Sequence, residues 1–98
     1  MLFLITWTFA DTTEEGGRRS LEVFGKWQPP AGATFKEFHG YADGSGGCAI
    51  VEVDSHATLA RSVAPFTPWL EFTATALVPI AEASEIAGEG ILFRDSVN

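Results

Sequence analysis

Ninety-eight residues, 46 % of them hydrophobic, make one domain that can bury a core without metals or disulfides. The formal charge of −7 argues against nucleic acid and anionic membranes as partners, since both would repel the chain. The single cysteine, Cys48, has no internal partner and fits a reducing cytoplasm, so the expected location is cytoplasmic.

The opening MLFLITWTFA is apolar but only about ten residues long, half of what a bilayer span needs. It lacks a basic leader and a small-residue cleavage site, and reads as a strand of a mature, untargeted protein. Residues 2–9 are strand formers with apolar character on both faces, the mark of a central strand. Asp11 with Glu14, or Thr12 with Glu15, has the spacing of a capping box. Gly16 and Gly17 weaken the start of that helix, whose secure part is Arg18–Trp27, with Leu21, Phe24 and Trp27 as core anchors at helical spacing. The Gln28-Pro29-Pro30-Ala31-Gly32 run ends it.

From Thr34 to Asp54 two alternating segments flank DGSGG, which predicts a β-hairpin. A second helix follows, capped by Asp54 or Ser55, with Leu59, Val63 and Phe66 inward and Pro65 and Pro68 as stops. A last strand covers Leu70–Pro79, with Phe72, Ala74, Ala76 and Val78 on one face and Glu71, Thr73, Thr75 and Leu77 on the other. Residues 81–98 are expected to form a tail on a core of residues 1–80. Within it Ala81–Ala87 is a short helix broken at Gly88-Glu89-Gly90, and Ile91-Leu92-Phe93 is an apolar docking segment.

The order β-α-β-β-α-β predicts an α+β, ferredoxin-like fold. Right-handed crossovers put both helices on one face of a four-stranded antiparallel sheet, in strand order 4-1-3-2. The helix side takes Phe3, Ile5, Trp7, Phe38, Gly40, Ala42, Ala49, Val51, Val53, Phe72, Ala74 and Ala76. The other side takes Leu4, Thr6, Thr8, Phe35, His39, Tyr41, Cys48, Ile50, Glu52, Thr73, Thr75 and Leu77. That second face is too apolar for open water and too polar for a plain core, which suits a homodimer closing sheet to sheet around a cavity. The Ile91–Phe93 segment is placed to cross to the partner.

Hairpin register decides where the chemistry lies. A four-residue loop, Gly44 to Gly47, pairs His39 with Glu52, Tyr41 with Ile50 and Asp43 with Cys48, and keeps Glu37, His39 and Tyr41 off the helix side. A five-residue loop instead pairs Phe38 with Glu52 and sends His39 to the helix side. In the first register a carboxylate beside an imidazole fixes its tautomer and raises its basicity, and Tyr41 can serve an oxyanion or a substrate oxygen. The same three residues equally suit a buried polar cluster satisfying itself across a dimer. Thr6, Thr8, Ile50, Thr73 and Thr75 are the expected ligand-lining residues of this face. His56 at a helix start, with no second ligand near, gives no zinc motif, and Cys48 reads as an inert thiol. DGSGG needs no explanation beyond the turn, and Trp69 reads as packing.

LFLITWTF, FGKWQPPAG, YADGSGG, AIVEVDS and PWLEFTATALVPI together resemble the short bacterial proteins grouped as DUF3303, over roughly residues 1–80, with DGSGG-x-x-x-V-E the most specific part. The resemblance extends to the dimeric α+β barrel superfamily, and it implies that fold, a homodimer and no established activity. That superfamily includes cofactor-free monooxygenases, lactone isomerases, haem-dependent enzymes and plain binding proteins. The reading is a dimer that binds a small apolar, oxygen-bearing molecule without a cofactor. The alternatives are a cofactor-independent enzyme, monooxygenase- or isomerase-like, in which His39 moves a proton, and a structural protein with no ligand.

Overall fold

The computed structural model describes residues 1–97, so Asn98, the end of the expected tail, lies outside the described residues. Strands β1 (Leu2–Phe9), β2 (Ala33–Gly40), β3 (Gly46–Val53) and β4 (Leu70–Leu77) form one antiparallel sheet in the order β2-β3-β1-β4. Helices α1 (Glu14–Lys26) and α2 (His56–Val63) lie on the same face of it. A 3-10 turn at Ala64–Phe66 follows α2, and a third helix, α3 (Ile80–Asp95), closes the chain. The ferredoxin-like order and strand arrangement expected from the sequence are therefore present.

β1 sits between β3 and β4, as its two apolar faces require. Phe3, Ile5, Val51 and Val53 form the centre of the core, with Leu59 and Val63 of α2 packed on them. Burying each such side chain contributes about 1.5–3 kcal/mol. Thr13, rather than Asp11 or Thr12, caps α1: its Oγ1 accepts from the Gly16 N–H at 3.1 Å, while Asp11 accepts from both the Thr13 N–H and hydroxyl. The helix consequently begins at Glu14 and runs through both glycines. Ser55 caps α2 by accepting from the Thr58 N–H at 3.1 Å.

Two expectations are corrected. The hairpin turns earlier than either register supposed: the Gly44 N–H donates to the Tyr41 carbonyl at 3.0 Å, and the Tyr41 N–H donates to Gly46 at 2.8 Å. Asp43 accepts from the Ser45 N–H and hydroxyl, and Gly44 takes φ +76, so the loop is Tyr41–Ser45. His39 therefore faces Cys48, and Glu52 faces Thr34. An extra residue at Lys36, between the Phe35–Val51 and Glu37–Ile50 pairs, moreover turns Phe35 to the helix side, away from the face expected for it.

The second correction concerns the tail. Gly88-Glu89-Gly90 does not interrupt α3, which runs unbroken for 16 residues. Helix propensity is a weak term, about 1 kcal/mol per glycine, and the flanking Ala, Glu, Ile and Leu residues outweigh it.

Candidate functional site

The face opposite the helices carries the residues singled out for chemistry, in cross-strand rows. One row is His39, Cys48, Thr6 and Thr73; the next is Glu37, Ile50, Leu4 and Thr75; the third is Thr34, Glu52, Leu2 and Leu77. Thr8 and Glu71 continue the polar end. The face is thus mixed: Leu2, Leu4, Ile50 and Leu77 share one end with Thr34, Glu37, Glu52 and Thr75, and hydroxyls, imidazole and thiol occupy the other.

His39 and Glu52 are not opposed. Glu52 lies four positions along β3 from the Cys48 that His39 faces, about 14 Å away. Glu52 instead accepts from the Met1 ammonium at 2.9 Å, which holds its carboxyl below the usual range. The carboxylate nearest His39 is Glu37, with Oε1 at 3.9 Å from Nε2, beyond hydrogen-bond reach. Tyr41 lies in the loop with its ring exposed. Thr6, Ile50, Thr73 and Thr75 do share the open face with His39. His56 stands edge-on to Phe3, ring centroids 5.9 Å apart. Among the described residues, no three His, Cys, Asp or Glu side chains gather closely enough to hold a metal ion, and no helix is long and apolar enough to cross a membrane.

A half-open apolar groove lies on the other side of the sheet. A cavity of about 160 Å³ opens between α1, the 3-10 turn and the sheet. Its wall is aromatic: Trp7, Phe9, Phe24, Trp27, Phe35, Phe38, Phe66 and Phe72, with Ile5, Leu21, Ala49, Val63 and Leu70 filling between the rings. Phe35 stacks on Phe38 at 5.0 Å, and Trp27 meets Phe35 edge to face at 5.3 Å. Trp7 meets Phe38 edge to face at 5.6 Å. Such ring pairs each add about 0.5–1.5 kcal/mol and fix one another's orientation. Gly47 lies beneath Trp7, where a side chain would collide with the indole and with the His39 carbonyl.

The polar atoms of this cavity come from two buried serines. The Ser20 hydroxyl donates to the Gly17 carbonyl and the Ser62 hydroxyl to the Thr58 carbonyl, both at 2.9 Å. Each donor is used, and each oxygen keeps lone pairs with which to accept. No charged side chain lines the space.

The model of the DUF3303 family, described as a domain of unknown function, matches residues 1–91. The chain belongs to the DUF3303 family. The match takes in the whole sheet, both body helices and most of α3, a longer span than the sequence resemblance covered. No curated protein matches the chain. The family's description names no ligand.

Sequence reading took Leu21, Phe24 and Trp27 as core anchors; all three line the groove, but Leu21 and Phe24 are 71 % and 47 % exposed and do not anchor a core. It did not foresee the cavity itself. The signal was partial: Trp7, Phe24, Trp27, Phe38, Phe66 and Phe72 were assigned to the helix side, whereas Phe35 was assigned to the opposite face.

Proposed function

We propose that this DUF3303 protein binds a small, uncharged aromatic molecule carrying a hydroxyl group, in the cavity between the helices and the sheet. The observation that carries the reading is the aromatic wall without charge around about 160 Å³ of space. A space of this size matches a benzene-sized guest, and the exposure of Leu21 and Phe24 gives it an open mouth. Flat rings offer such a guest stacking and edge contacts, and the absence of charge disfavours ionic ligands, which would lose hydration without compensation. The free lone pairs of Ser20 and Ser62 suit a ligand that donates one hydrogen bond. This keeps the apolar, oxygen-bearing ligand class read from the sequence and moves its place from the open face to the helix side.

Phenol is the probe of choice. On titration, the side-chain indole N–H resonances of Trp7 and Trp27 should shift and saturate, while that of Trp69, outside the cavity wall, stays still. Ser20→Leu, which fills the space from α1, should abolish the shifts and leave the fold intact or more stable. Shifts that grow linearly without saturation, or move all three indoles alike, would refute the site.

A further inference from the structure

The groove has a dry floor and a wet rim. Ile5, Ala49 and Ser62 are almost wholly shielded from water, and Ser20 and Phe66 are buried with them. Large apolar side chains that line the same space are not. Leu21 and Phe24 of α1 are largely in water, and Phe9 and Phe38 of the sheet are 41 % and 42 % exposed. These rim groups are joined. Leu21 and Phe24 stand three residues apart on α1, a spacing that makes helical side chains neighbours. The Phe24 ring meets the Phe38 ring edge to face at 5.8 Å and stacks on Trp27 at 6.0 Å.

Floor and rim suit different parts of one molecule. The space of about 160 Å³ is filled by a single aromatic ring with its hydroxyl. Ser20 and Ser62, whose oxygens are free to accept the hydroxyl proton, belong to the buried side. The ring therefore sits with its hydroxyl inward and its opposite edge toward the mouth. A guest that ends there leaves the rim in water. Contiguous exposed apolar side chains around a groove mark a binding surface, and each of them gains by contact with further carbon. No charged side chain lines the groove, so a carboxylate or ammonium at the outer end finds no counter-charge there.

We infer that the groove takes a phenol carrying a hydrocarbon chain opposite its hydroxyl, with the ring on the floor and the chain along Leu21, Phe24 and Phe38. The inference rests on the ligand reading above and narrows its class, from a bare aromatic alcohol to an uncharged alkylphenol. Leu21 and Phe24 thereby acquire a role that core packing does not give them: they select for the chain.

The test is a homologous series on the full chain: phenol, 4-ethylphenol and 4-butylphenol, each titrated against the indole resonances of Trp7 and Trp27. Affinity should rise about two- to fourfold per methylene, the lower value for partial and the upper for full burial, and so at least about tenfold from phenol to 4-butylphenol. The terminal methyl of bound 4-butylphenol should show nuclear Overhauser effects to the Leu21 methyls and the Phe24 ring. Leu21→Ser, a change at an exposed helical position, should shrink the ratio of the 4-butylphenol and phenol affinities. Saturating phenol shifts with a flat series would overturn the chain and leave the ring site standing. A terminal methyl that meets Ile5 and Ala49 instead of the rim, or a wild-type affinity ratio in Leu21→Ser, would overturn the placement of the chain. Saturation by no member of the series would overturn the ring site and the chain with it.

Discussion

At Glu52 the Met1 ammonium donates a hydrogen bond of 2.9 Å, and the pair holds the carboxyl below its ordinary pKa of 4.5. A carboxyl lowered in the folded state adds stability that is fully present above its unfolded pKa, and that stability is lost as pH falls through the folded value. Asp11, held by the Thr13 hydroxyl and N–H, and Asp43, held by those of Ser45, act in the same direction. Denaturant unfolding followed from neutral pH down through the carboxylate range should show stability declining, and less steeply in Glu52→Gln. A variant with the wild-type acid profile would contradict the pairing. The partner of Glu52 was not legible in the sequence, although its face was. Alternation fixes the side of a strand on which a residue falls, but not which residue opposes it, and one turn closing at Tyr41–Gly44 moved His39 from Glu52 to Cys48.

Among the elements, β1 and β4 were legible nearly to the residue, because long alternating apolar runs leave only one reading. β2 was not. The extra residue at Lys36 leaves no compositional mark, yet it moved Phe35 to the cavity wall and so helped to create a site the sequence did not announce. α3 was undercut by Gly88 and Gly90, residues with local consequences weaker than those of their neighbours. That gives a direct check. A Cβ at Gly88 meets nothing within 4 Å, and one at Gly90 touches only the Arg94 guanidinium at an ordinary 3.6 Å. G88A/G90A should therefore stabilise the helix by about 1 kcal/mol per site, seen as greater helicity by circular dichroism on heating. A loss of helicity would mean that α3 does not run straight through these positions.

For the molecule as a whole, Ile80, Leu92 and Phe93 of α3 are largely exposed, and pairing of copies through them would tie stability to protein concentration. If copies pair through this helix, the thermal midpoint read by calorimetry should rise with protein concentration in the wild type and stay nearly flat in L92D/F93D; equal slopes would exclude that pairing. The sheet also has two outer strands, β2 and β4, and they are not alike. β2 is kinked at Lys36 and carries Lys36 beside Glu37, so a strand approaching from outside meets a bent ladder and charge. β4 is paired in regular register along its length, and Glu71 is its single charged residue. The kink that shapes the cavity wall thus also acts as a guard against runaway strand addition, and it leaves Leu70–Leu77 as the more regular and less charged edge of the sheet.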